Sequence, residues 1–257
     1  MTLRAPKLMN TAIISDDAYL AARLTSAVAK RFHYLSVMDG PRLKRPDAQA
    51  EIARRNNALA RIKANDVILS GLSDDQVAAM SDKLPNGIVQ VRDHADVDSL
   101  ASTDILNNER LKWGRENIGV GLLKALYEGR LIEFEDNGPA TATIIGHSKH
   151  HVVCEAGDKI SEIIASNYAY SLGASLTIIP EVDTEVAEPI LEQLYSSENG
   201  KQRLNLQTDL FNLCGGVKFP NGASLTFFTK KLPFGIGFPS HPSTHIFNYP
   251  DCGVSVM

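Results

Sequence analysis

The sequence predicts an α/β fold built from two Rossmann-like units, each a mainly parallel sheet flanked by helices. Three observations lead there. Short apolar runs alternate with segments of 3.6-residue periodicity. That alternation stops at a turn-rich segment near mid-chain and then restarts. The chain has 257 residues, 44% apolar and 22% charged, which suits one large or two small globular domains. Such a composition excludes wholesale disorder, a collagen-like fibre and a disulfide scaffold.

The elements follow in order. Thr11–Ser15 reads as a short buried strand, and Asp16 and Asp17 suit the start of a helix because their charge meets its dipole. Leu20, Leu24, Ala27 and Val28 then share one face. Phe32–Val37 is strand-like. Across residues 47–64, Ala48, Ile52, Leu59 and Ile62 form the next apolar stripe. Asp66–Ser70 is a strand. Ser73 and Gln76 form a capping box ahead of Val77, Met80 and Leu84. Pro85-Asn-Gly87 is a turn, Ile88–Val91 a strand, and residues 96–128 read as mainly helical. Leu131–Phe134 is another strand.

Glu135-Asp-Asn-Gly-Pro139 is the strongest linker signal. It divides the chain into units 1–136 and 137–257. In the second unit, Thr141–Ile145, Ser175–Ile179 and Ser224–Phe228 read as strands. Asp158–Gly173 and Thr184–Tyr195 read as helices, with Gly173 at a left-handed end position. Cys252–Met257 reads as the start of a further strand. A doubly wound sheet normally continues with a helix, so the second unit is expected to be incomplete and the chain part of a longer protein.

Net charge is −4, whereas nucleic-acid binders are usually basic. The distribution is uneven: residues 1–63 carry 12 Lys/Arg against 5 Asp/Glu, residues 64–137 carry 7 against 14, and residues 138–257 carry 7 against 11. The basic helix around Arg54–Arg61 fits an acidic protein partner, and Arg42, Lys44, Arg45, Arg54, Arg55 and Arg61 together fit, more weakly, nucleic-acid phosphates. No aromatic residues interleave with them for base stacking. The cysteines Cys154, Cys214 and Cys252 form no CxxC pair, which points to a reducing cytoplasm. The first ten residues have no apolar run of a signal peptide, and no stretch is long enough to span a membrane.

Ile145-Gly-His-Ser-Lys-His-His151 is the most unusual segment. It follows an expected strand, where an open α/β sheet places ligands. His147, His150 and His151, with His241 and His245 of a second cluster, are candidate ligands for a divalent transition metal, although no established spacing is met. The plainer reading is a set of surface-loop histidines. Gly146-His-Ser148 resembles the nucleophile elbow of α/β-hydrolases, but His150 stands where the second glycine belongs. Cys252 with His241 or His245 resembles caspase-like peptidases in the order strand, His, strand, Cys, without their longer spacing or surrounding sequence. Ser70, Gly71 and Asp74 resemble the ATP-pyrophosphatase loop, from which Leu72 and Asp75 depart; N-capping explains them better. Gly119-Val-Gly121 is no dinucleotide fingerprint, because Lys124 falls at the third glycine.

The leading expectation is a sensor or effector module that binds a nucleotide-like or other anionic small molecule. Gly146, His147, Ser148 and Lys149 would contact it, with Glu181 and the Gly/Pro-rich loop bearing Lys230 and Lys231 opposite. Its partners would be that ligand and a protein partner or further domain after Met257. The alternatives are a metal-dependent hydrolase in which His147 is catalytic, a cysteine hydrolase using Cys252 with His241 or His245, and a non-enzymatic interaction protein.

Overall fold

The computed structural model describes residues 9–28, 32–64, 66–81, 84, 89–101, 109–181 and 183–202, the single residues 205, 209 and 212, and the strands at 224–229 and 244–248. Lys230, Lys231, His241 and Cys252 lie outside the described residues.

The first sheet contains β1 (Met9–Ser15), β2 (Phe32–Met38), β3 (Asp66–Ser70) and β4 (Val89–Val91). All neighbours pair in parallel, in the order β2-β1-β3-β4. β1 is buried on both faces, which is why it reads as a continuous apolar run rather than an alternation. Ile13 and Ile68 face one core with Leu20 and Leu24 of α1 (Ala18–Val28). Ala12, Ile14, Val67 and Leu69 face a second core. Ala58 and Leu59 of α2 (Ala48–Arg61) and Met80 of α3 (Asp74–Ser81) complete that one. Helices thus cover both faces. α4 (His94–Ala101) joins α1 through Val97.

The caps read from sequence are in place. Asp17 accepts from the backbone N–H groups of Tyr19 and Leu20 at 2.9 and 3.0 Å. Ser73 N–H donates to Gln76 Oε1 at 2.9 Å, and Gln76 N–H returns to Ser73 Oγ at 3.2 Å. Each satisfies a donor that the helix itself leaves orphaned.

The stretch read as mainly helical holds a strand. β5 (Arg110–Gly114) pairs in parallel with β6 (Leu131–Glu135), and α5 (Ile118–Glu128) joins them. The period-2 signal was present: Arg110 and Lys112 are exposed, while Leu111 and Trp113 are buried. Residues 136–139 fold back onto this unit, with Gly114 N–H donating to Pro139 O at 2.8 Å.

β7 (Thr143–Ile144) is a short antiparallel edge. The parallel strand that leads into the next helix is β8 (His150–Glu155), which starts inside the segment expected to be a loop. Its two leading histidines concealed the apolar Val152-Val-Cys154 run behind them. α6 (Lys159–Leu172), β9 (Ser175–Ile179), α7 (Thr184–Ser196), β10 (Ser224–Thr229) and β11 (Thr244–Asn248) follow. Asp158 caps α6, accepting from Ile160 N–H at 3.1 Å, and Gly173 ends it at φ 62°. The sheet order is β11-β10-β8-β9-β7. Its parallel strands repeat the winding of the first sheet: the second strand lies beside the first, and the third on the first strand's other side.

α6 packs on β8 and β9 and also reaches β2, while α5 packs on α6. One apolar core therefore runs from Ile13 through Trp113 and Leu123 to Ile163 and Leu176. Fully burying each such aliphatic side chain contributes roughly 1.5–3 kcal/mol. The chain is an α/β protein whose parallel sheets are flanked by helices. Among the described residues, no helix is long and apolar enough to cross a membrane.

Candidate functional site at the carboxyl rim

Strand direction decides where a site can form. In open parallel sheets, ligands bind beyond the carboxyl ends, where the strand order reverses. In the first sheet that reversal lies between β1 and β3, beside Asp16, Asp17 and Gly71. Asp16 ties the rim together. Its carboxylate accepts from Gly40 N–H at 2.8 Å and from the Gln76 amide at 2.5 Å, and the same amide reaches Pro41 O at 3.0 Å. Gly71, at φ 62°, leaves room for Asp17, whose Cβ lies 2.8 Å from where a Gly71 side chain would begin.

Behind the rim, Arg55 and Glu51 form a buried ion pair, each side chain only 2% exposed. Arg55 donates to Asp39 O at 2.6 Å and Gly40 O at 3.1 Å, and Glu51 accepts from Arg42 N–H at 2.8 Å. The pair fixes the loop after β2. It also removes Arg55 from the basic docking face expected from sequence, while Arg54 stays at the surface and meets Asp47 at 3.4 Å. Burial pushes the Asp39 carboxyl up to about 6, helped by the neighbouring Asp158 and opposed by Arg55 and Arg42.

Clefts open along this rim. One of about 370 Å³ lies between Pro41–Lys44 and the start of α3 at Ser73 and Gln76. Another of about 290 Å³ is lined by Gly71, Ser73 and Arg92. A third, of about 440 Å³, is bounded by Asp17, Tyr19, Arg23, His94, Arg115, Phe134 and the carboxylates of Glu133 and Glu135. Most of these residues follow or end a parallel strand, or begin the helix after it; Arg23 lies midway along α1 and Glu133 midway along β6. Of this rim, the sequence points only to Ser70, Gly71 and Asp74, the segment that resembles a phosphate loop and that N-capping explains better; the Ser-Asp-Asp run after β1 is a helix start on the same rim.

The histidine loop lies at the other end of the second sheet. It joins β7 to β8, so it precedes a parallel strand and links two strands rather than a strand and a helix. His147 and Ser148 N–H groups donate to Gly173 O at 2.7 and 2.9 Å, capping the end of α6. Gly146 is required there, because a Cβ would fall 2.3 Å from the Ala174 backbone. Ser148 Oγ accepts from His150 N–H at 3.2 Å. The exposed His147 ring rests 5.1 Å from that of Tyr127, whose hydroxyl burial pushes up to about 12. His150 is exposed, whereas His151 is buried with Nε2 2.8 Å from Thr177 Oγ1.

The predicted set is therefore divided. His147, Ser148 and Lys149 sit at the amino ends of β8 and β9, and Glu181 lies beyond the carboxyl end of β9. At about 3.3 Å per residue, the strand holds these groups roughly 15 Å apart. His245 is on β11, with β10 between it and β8, and its backbone is one residue further along than that of His151. Among the described residues, no group of three or more His, Cys, Asp or Glu is arranged to hold a metal. Cys154 is buried next to the last residue of β8, with its Sγ 3.5 Å from Glu155 O. Comparison with protein-family models, curated proteins and solved structures finds no match.

Proposed function

We propose that this chain is a ligand-binding module, of sensor or effector type, for a nucleotide-like or other anionic small molecule. Its four-stranded and five-stranded sheets act as Rossmann-like units, and the ligand seats on the carboxyl rim of the first, beside the β5–β6 pair, rather than at the histidine loop of the second. One observation carries this reading: the clefts lie together at the carboxyl ends of β1 to β6, on the side where the strand order reverses. Arg42 and Lys44 supply positive charge at one of them, facing the start of α3.

A rigid rim suits binding. Asp16, Gln76 and the Arg55–Glu51 pair hold the loops in place before a ligand arrives. The test is thermal unfolding of the whole chain across a panel of nucleotides and small carboxylates. A ligand present at a hundred times its Kd stabilises the fold by about 2.7 kcal/mol, which gives a clear rise in Tm. A panel that leaves Tm unchanged at millimolar concentration overturns the proposal.

A further inference from the structure

Residues 42–55 carry five basic side chains, and three of them are matched. Arg45 meets Glu51 at 3.8 Å, Arg54 meets Asp47 at 3.4 Å, and Arg55 meets Glu51 at 3.4 Å. Arg42 and Lys44 form no ion pair among the described residues, and they are the two that line the cleft of about 370 Å³. Arg42 acts on the Asp39 carboxyl only from a distance. On the facing wall stands Asp75, whose carboxylate has no hydrogen-bond or ion-pair partner among the described residues. Two cations and one carboxylate therefore border the same space without closing on each other. All three are open to solvent: Arg42 is half-buried, and Lys44 and Asp75 are exposed.

The walls are fixed before anything enters. Arg42 N–H donates to Glu51 at 2.8 Å, and the Gln76 amide donates to Pro41 O at 3.0 Å. Pro41 and Leu43 add apolar surface. The volume falls within the roughly 300–1,000 Å³ of small-ligand sites.

A bare anion gains from Arg42 and Lys44 and loses to Asp75; an amine alone does the reverse. A molecule with an oxyanion at one end and N–H donors at the other satisfies both walls. Two cations match the double charge of a phosphate monoester, and the guanidinium fork of Arg42 suits its oxygens. The Asp75 carboxylate only accepts. Guanine offers it two adjacent donors, N1–H and the N2 amino group. Adenine sets the N1 lone pair beside its amino group, so one carboxylate oxygen would face another acceptor.

We infer that this cleft binds a guanine nucleoside monophosphate, with the phosphate on Arg42 and Lys44, the base against Pro41 and Leu43, and Asp75 accepting from N1–H and the N2 amino group. The inference rests on the ligand-binding reading above and narrows its ligand.

Isothermal titration of the full chain with GMP and AMP tests it. GMP should bind about tenfold more tightly than AMP, as one charged hydrogen bond allows. Arg42→Ala combined with Lys44→Ala should lower GMP affinity by about tenfold or more. Asp75→Asn, which replaces one acceptor by a donor, should erase the preference for GMP over AMP. All three side chains lie at the surface, so these variants should keep the wild-type Tm. Equal binding of GMP and AMP overturns the inference. So does GMP affinity that is unchanged in the double variant, or a base preference that survives Asp75→Asn; these outcomes leave the broader reading standing. If GMP and AMP both fail to bind while another ligand of the thermal panel raises Tm, the inference falls alone. If nothing in that panel raises Tm, both fall.

Discussion

The backbone N–H of Gly119 donates to Oε2 of Glu162 at 3.1 Å. A side chain of α6 thereby closes the amino end of α5, where the helix has unmatched donors. The contact is tight, since a Cβ on Gly119 would lie 2.6 Å from the Glu162 carbonyl oxygen. Gly121 meets the Trp113 ring in the same way, at 2.5 Å. The Gly-Val-Gly run of α5 is thus a packing device.

Glu162 should make stability depend on pH. Burial pushes its carboxyl up to about 7 from an ordinary 4.5, against the Gly119 hydrogen bond and the charge of Lys159. The folded state then holds a proton between those values that the unfolded state has lost. Stability is highest below pH 4.5 as far as this group is concerned, and falls as pH rises through 7. The full effect is at most about 3 kcal/mol. Glu162→Gln keeps an acceptor for Gly119 and removes the charge. Its denaturant midpoint should change less between pH 5 and pH 8 than that of the wild type, and an equal slope would remove the basis for this account.

Asp39 should act in the same direction over a lower window. Its carboxyl is pushed up to about 6 from 3.8, first by burial and then by Asp158. Stability should fall as pH rises between those two values. Asp39→Asn should flatten that part of the profile and leave the pH 6–7 portion to Glu162. Chemical denaturation at pH 4, 5 and 6 makes the comparison.

Gly119→Ala and Gly121→Ala should both destabilise. Alanine gains about 1 kcal/mol of helix propensity over glycine. Overpacking against backbone or an indole ring costs roughly 1–3 kcal/mol. The sites should therefore lose stability in urea titration, where an exposed helical glycine would gain it.

Arg55→Ala should cost about 3–5 kcal/mol, because it leaves Glu51 buried and uncompensated. It also frees the carbonyls of Asp39 and Gly40. Arg54→Ala, at an exposed pair with Asp47, should cost less than about 1 kcal/mol. Equal losses in the two variants would contradict the assignment of Arg55 to the interior.

Gln76→Ala removes half of the capping box and the tie from α3 to Asp16 and Pro41. A loss of about 1–2 kcal/mol is expected. Hydrogen exchange should speed up around residues 40–45 as well as at the start of α3. A change confined to α3 would mean that the rim does not depend on this side chain.

Local signals alone determined much of the fold. Asp17, Ser73 and Asp158 announce helix starts because their side chains bond to backbone groups two or three residues away. Gly173 announces an end because its backbone angle excludes most other residues. Apolar periodicity marked β1, α1, β3, α6 and β9, since an element must turn its oily side inward wherever it sits. The Arg-Leu-Lys-Trp alternation of β5 is legible too, but Trp113 also falls in line with Ile118, Leu122, Leu123 and Leu126 as the anchors of one long helical stretch.

Tertiary structure decided the rest. Strand order and direction place the histidine loop at an amino end and the aspartate runs at a carboxyl end, and no local pattern encodes that difference. The partners that matter are distant in sequence: Gly119 and Glu162 are 43 residues apart, and Arg23 and Asp98 are 75. A short-range motif is fixed by covalent geometry. A rim assembled from six strand ends exists only after the core has chosen which strands lie side by side.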